Sequence, residues 1–111
     1  YINVMFGGKL WYHPKLPVNR TRGVDHQVWL VKEQRNIWVN NYHSDCIYEE
    51  GLASCFEPLA IDRENHVVEA YGSDEMKILA LQWHPERRFE TANAYEETRK
   101  IILDFIQKYV K

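Results

Sequence analysis

Residues 79–89 read LALQWHPERRF. The apolar Leu79, Ala80 and Leu81 belong to a strand-like run that stops at Trp83 and is followed at once by His84, Pro85 and Glu86. In extended backbone, residues two apart share a face, so His84 and Glu86 are expected to project together from the end of that strand. An imidazole with a pKa of about 6.5 accepts and returns a proton near neutrality. A carboxylate against its second nitrogen fixes the tautomer and favours the imidazolium that forms transiently. The same two residues would equally suit a strand that simply ends in water.

Downstream, residues 90–111 carry Tyr95, Thr98, Ile101, Ile102, Phe105, Ile106 and Tyr109 at three-to-four-residue spacing. Glu96, Glu97, Arg99, Lys100, Asp104 and Lys108 fill the other side, which predicts an amphipathic helix packed on a sheet. Upstream, strand signals recur at residues 26–32 (HQVWLVK), 37–40, 54–61 and 67–71. DREN and GSDE supply turn chemistry between the last three strands. Ser44 or Asp45 is expected to cap a short helix containing Cys46 and ending near Gly51, while Cys55 reads as a buried strand residue. The opening YINVMFGG looks like the last turns of a helix with its glycine stop, and residues 9–23 read as an irregular loop. Strands closed by a helix imply an α/β or α+β architecture with an antiparallel portion.

The bulk composition narrows the function classes. A chain of 111 residues, 45 % hydrophobic and 27 % charged, fits one globular domain. Fourteen Lys and Arg against sixteen Asp and Glu give a formal charge of −2, so nucleic acid and anionic membrane are not expected partners. No apolar run approaches the about 20 residues of a membrane span, and the first residues lack a signal peptide's pattern. Two cysteines do not make a disulfide scaffold, and a cytoplasmic location with reduced thiols is expected. Among His13, His26, His43, His66, His84, Cys46 and Cys55 only His43 and Cys46 are close in sequence, so no metal site is expected.

QWHPE, residues 82–86, closely resembles the signature that carries the catalytic histidine and glutamate of the class I glutamine amidotransferase-like family. RNIWVNNYHSDCI, residues 35–47, resembles that family's VNSxHxQ-type segment. YINVMFGGKLW resembles the INVxxGGxL stretch behind the nucleophile elbow, and EPLAIDRENHVVEAY looks like the hairpin preceding QWHPE. The resemblance covers nearly the whole chain and is closest to the γ-glutamyl hydrolase branch, which includes γ-glutamyl-GABA hydrolases. It implies a flavodoxin-like α/β fold whose C-terminal portion this chain would form, with a mixed sheet and a closing C-terminal helix.

The resemblance also implies a chemistry. A cysteine thiolate attacks the γ-carbonyl of glutamine or a γ-glutamyl-amine, His84 activates water, and Glu86 orients His84, with no cofactor or metal. Asn40, Tyr42 and His43 would line the γ-glutamyl pocket, several through their backbone. Asp45 stands where the family has Gln, which could bear on the leaving group. Arg20, Arg22, Arg87 and Arg88 suit a carboxylate or phosphate on the leaving group, or plain solvated charge.

The family's nucleophile lies in a G-x-C-x-G-x-Q pattern that would precede Tyr1. Neither Cys46 nor Cys55 follows the strand-to-helix glycine turn in which a helix N-terminus activates a thiol. Residues 1–111 are therefore expected to be the C-terminal half of the domain, inactive alone, and able to pair with the N-terminal half or with another copy. A glutaminase subunit of an amidotransferase, and a non-catalytic glutamine or γ-glutamyl-binding module, are the other readings.

Overall fold

The computed structural model describes residues 2–12, 14, 23–43 and 45–109. Within these, a one-turn α1 (Ile2–Met5) is followed by β1 (His26–Leu30), β2 (Arg35–Val39), a 3-10 turn (Glu49–Gly51), β3 (Glu57–Asp62), β4 (Val67–Ser73), β5 (Ile78–Leu81) and α2 (Ala94–Tyr109). The strands form one five-stranded sheet in the order β2-β1-β3-β4-β5, and all four pairings are antiparallel. This is an α/β arrangement with a closing C-terminal helix, consistent with part of a flavodoxin-like domain. No parallel pair occurs among the described residues.

Alternation along the strands sets the core. Val28 and Leu30 of β1 and Ile37 and Val39 of β2 are buried together with Ala60, Ala70 and Trp83, and Phe89 and Ile101 pack against them. A second cluster joins Ile47, Ala53, Phe56, Val68 and Tyr71. Helix α2 meets this frame through buried Ala94 and Thr98, and its Glu97 takes Arg35 of β2 at 2.7 Å. Tyr95 and Ile106, expected on the apolar face, are instead exposed. Glu96 and Glu97 in the first turn and Lys108 in the last complement the helix dipole.

Three hairpins close in the same way. Each turn, at residues 31–34, 63–66 and 74–77, ends on a non-glycine residue in the left-handed region: Gln34, His66 and Lys77, with φ of 54°, 59° and 58°. In the second, Asp62 Oδ1 accepts the N–H groups of Glu64 and Asn65, an Asx turn that needs an acid or amide there. Pro58, which has no N–H to give, sits beside a register shift between Pro58 and Ala60.

At the N-terminal end, Gly7 takes φ +94° after α1, the expected glycine stop. Asn3 of α1 is wholly buried. Its Nδ2 donates to the Lys9 and Gly51 carbonyls and its Oδ1 accepts from Ala53 N–H.

Two further expectations are overturned. Residues 45–48 form no capped helix: Cys46 is bridged to Trp11 in extended backbone, and the 3-10 turn begins only after Tyr48, with no side-chain cap. The backbone hydrogen bonds exchanged with Trp11 outcompete a local helix. Ser44 lies outside the described residues. Cys55 is exposed, in a turn ahead of β3, because Ala53 and Phe56 on either side take the buried positions.

Candidate active site

Strand β5 ends at Leu81, and Gln82 N–H still reaches the Glu69 carbonyl of β4 at 2.7 Å. Trp83 then turns inward. It is 2 % exposed, and its Nε1–H donates to Thr98 Oγ1 of α2 at 3.1 Å. Anchoring this ring in the core places His84 at the start of a turn, closed by Arg87 N–H on the His84 carbonyl at 3.0 Å.

His84 and Glu86 do come together, but across this turn rather than along an extended strand. His84 Nδ1–H donates to Glu86 Oε2 at 2.8 Å. The hydrogen bond from His84 is the leading reason that the Glu86 carboxyl lies below its ordinary range. The imidazole is part-exposed and the carboxylate more so. With Nδ1 donating, Nε2 is the ring nitrogen free to accept a proton when His84 is neutral.

Tyr42 lies edge-on to the His84 ring, with centroids 6.3 Å apart and planes at 89°. The Arg87 guanidinium sits 4.8 Å over the Tyr42 ring. Arg87 and Arg88 also line a shallow cleft with Pro85, Glu86, Thr91 and Tyr95, whereas Arg20 and Arg22 lie outside the described residues. The turn is fastened at its far end by Asp25, whose Oδ2 accepts the N–H groups of Glu90 and Thr91.

The side chains of Asn40 and His43 are engaged with the protein itself. Asn40 is fully buried and its amide is engaged with the backbone of His84. His43 points to β4: Nδ1–H donates to the Asp45 carbonyl at 2.8 Å and Nε2–H to Glu69 Oε1 at 2.9 Å. Burial opposes a charge on this ring. Hydrogen bonds to Cys46 and Glu69, the Glu69 charge and the Asp45 carbonyl outweigh it, and the pKa is pushed up to about 10. At neutral pH His43 is therefore an imidazolium with both nitrogens donating, unsuited to act as a base.

Glu69 was not visible in the sequence as a site residue, since a lone acid in VVEAYGS carries no motif. Its carboxylate, with His26 and Asp62, presents donors within 4.8 Å of one another. A cation could be accommodated by such a spacing. However, Glu69 already holds the charged His43, and Asp62 accepts from Glu64 N–H, Asn65 N–H and Asn65 Nδ2. The group is a satisfied hydrogen-bond network, and residues so far apart in sequence escape any spacing rule.

Among the described residues no helix is long and apolar enough to cross a membrane. Comparison with known proteins places the chain. The family model described as Peptidase C26 matches residues 1–86, a family that includes γ-glutamyl hydrolases, while no curated protein matches. The match spans more than half of the chain and ends on Glu86, so the chain belongs to the Peptidase C26 family.

Proposed function

We propose that this Peptidase C26 protein hydrolyses γ-glutamyl amide bonds, of glutamine or a γ-glutamyl-amine, through a Cys-His-Glu triad to which the chain contributes His84 and Glu86. Family membership supports amide-bond hydrolysis in general. The observation that carries the finer reading is the 2.8 Å hydrogen bond from His84 Nδ1 to Glu86. It leaves Nε2 of a part-exposed imidazole to exchange protons, backed by a carboxylate that stabilises the imidazolium.

The chemistry follows in balanced steps. The thiol proton passes to His84 Nε2 as sulfur attacks the γ-carbonyl carbon. The same proton then goes to the leaving amine as the C–N bond breaks, giving a γ-glutamyl thioester. Water attacks the thioester, Nε2 takes its proton, and the thiolate leaves, recovers that proton and frees glutamate. Tyr42 forms a wall beside the imidazole on this reading.

The nucleophile is assigned to an N-terminal half of the domain, residues 1–111 forming the C-terminal half. Cys46 is buried at 1 % exposure and bridged to Trp11. Cys55 lies in a turn ahead of a strand. Neither sits at a helix N-terminus, where a thiolate is activated. The setting is a cytoplasmic one, and the partners are the small-molecule substrate and the nucleophile-bearing half.

The test uses a chromogenic γ-glutamyl anilide. The chain alone is expected to release no amine, the chain joined to its nucleophile-bearing half to release it, and His84→Asn to lose about 10²-fold or more in kcat. Full activity of His84→Asn in the joined protein would sink the proposal. Tight binding of glutamine or a γ-glutamyl compound without hydrolysis by the isolated, folded chain would support the binding-module reading instead.

A further inference from the structure

We infer that Asn40 is a positioning residue, holding the turn that carries His84 rather than touching substrate. The inference rests on the reading of His84 as the acid–base group.

Asn40 follows directly on β2 and is fully buried. Its Oδ1 accepts His84 N–H at 2.9 Å, and its Nδ2 donates to the His84 carbonyl at 2.7 Å. The same Nδ2 faces the carbonyls of Arg87 and Arg88 at 3.4 Å each. Both polar ends of the amide are thus spent on one turn, and the side chain has no surface to offer a ligand.

Gripping the N–H and the C=O of a single residue fixes the peptide planes on both sides of it, and so the direction of the Cα–Cβ bond. From there the His84 ring has only staggered rotamers to choose among, and the one adopted brings Nδ1 to Glu86. The task needs a donor and an acceptor on a short planar group. Asp is isosteric but would set a carboxylate oxygen against three carbonyls. Ala would leave the His84 N–H without its acceptor and the His84 carbonyl with Arg87 N–H alone.

Residue 69 anchors both segments that Asn40 joins. The Glu69 carboxylate holds His43, three residues beyond Asn40, and the Glu69 carbonyl holds Gln82 N–H, two residues before His84. Hydrogen bonds at Glu69–His43, Asn40–His84 and Gln82–Glu69, joined by the short backbone stretches 40–43 and 82–84, therefore close a ring. Movement of the imidazole by about 1 Å is enough to cost on the order of 10² in rate.

The test is 15N and 13C NMR of the chain. In the unmodified protein, neutral His84 is expected to hold its proton on Nδ1, and the Asn40 side-chain amide protons to exchange far more slowly than those of exposed Asn36. In Asn40→Ala and Asn40→Asp the His84 proton shifts toward Nε2, the form free imidazoles favour, and the Glu86 carboxyl titration moves up toward the ordinary range. Folded variants with unchanged His84 tautomer and Glu86 titration would overturn the inference. So would fast exchange of the Asn40 amide in the unmodified chain, which needs no variant. In the enzyme that carries the nucleophile, Asn40→Ala is expected to lower kcat about 100-fold with KM within about twofold. A loss confined to KM would make Asn40 a binding residue and overturn the inference. An unmodified enzyme without γ-glutamyl hydrolysis would overturn the functional reading while the NMR result still stands.

Discussion

The Glu69 carboxylate, wholly buried in β4, accepts a hydrogen bond from His43 Nε2 at 2.9 Å. Two segments separated by 26 residues are joined by this pair, and the carbonyl of the same Glu69 accepts Gln82 N–H, two residues before His84. Removing one partner leaves the other as an uncompensated buried charge, so Glu69→Ala is expected to destabilise the fold by about 3–5 kcal/mol. Urea denaturation of the two proteins measures it.

The same pair gives the fold a pH dependence with a definite sign. The folded pKa of His43 is raised from 6.5 to about 10, so its contribution is complete below about pH 6.5. Above that the unfolded chain loses its proton while the folded chain keeps it, and the contribution drains away as pH rises through about 10. Urea midpoints measured between these limits are expected to decline with pH, and the decline to be much reduced in His43→Asn.

Trp83 Nε1 and Thr98 Oγ1 meet at 3.1 Å where β5 runs out under α2. Thr98→Val keeps the volume but strands a buried donor, at a cost of about 1–3 kcal/mol. Trp83→Phe removes the donor and should make the Thr98→Val change nearly neutral. A double-mutant cycle that shows no coupling between the two would exclude the bond as a stabilising contact.

His84→Ala is expected to move the Glu86 carboxyl titration up toward its ordinary range, because the hydrogen bond from His84 is the main cause of its depression. A depressed carboxyl contributes only above its unfolded pKa and is lost as pH falls through the lowered value. Carbon-detected NMR of Glu86 in the two proteins reads the shift, and an unchanged midpoint would mean that the pair is not formed in solution.

Gly72 lies in β4 against β5, where an added Cβ would come within 2.6 Å of the Ile78 carbonyl oxygen. Gly72→Ala is expected to cost about 1–3 kcal/mol, as overpacking against backbone does. Gly7→Ala, with open space around it but φ +94°, should cost on the order of 1–2 kcal/mol from conformational strain alone. Thermal unfolding of the two variants compares rigid-neighbour crowding with backbone strain.

Much of the frame was legible because its causes are local. The β-branched and aromatic residues of HQVWLVK located β1, those of residues 37–40 located the latter part of β2, the three-to-four-residue spacing after Glu90 located α2, and Gly7 marked the end of α1. The hairpin turns were placed by DREN, and less closely by GSDE, since Gly72 and Ser73 remain in β4. Cys46 and Cys55 were misplaced because each decision was a competition between local propensity and a distant partner, Trp11 for the first and the Phe56 packing site for the second.

The sequence by itself determined the five strand segments, the closing helix and the nearness of His84 to Glu86, since two residues apart they are neighbours in most backbone conformations. Only the tertiary structure decided what holds that pair. Asn40 reaches His84 across 44 residues and His43 reaches Glu69 across 26, distances closed by the register of the sheet and by no pattern within either segment. A hydrogen bond of this kind is specified by the summed burial of Val28, Val39, Ala60 and Ala70, which sets strands side by side. Its partners become visible only once that core has formed.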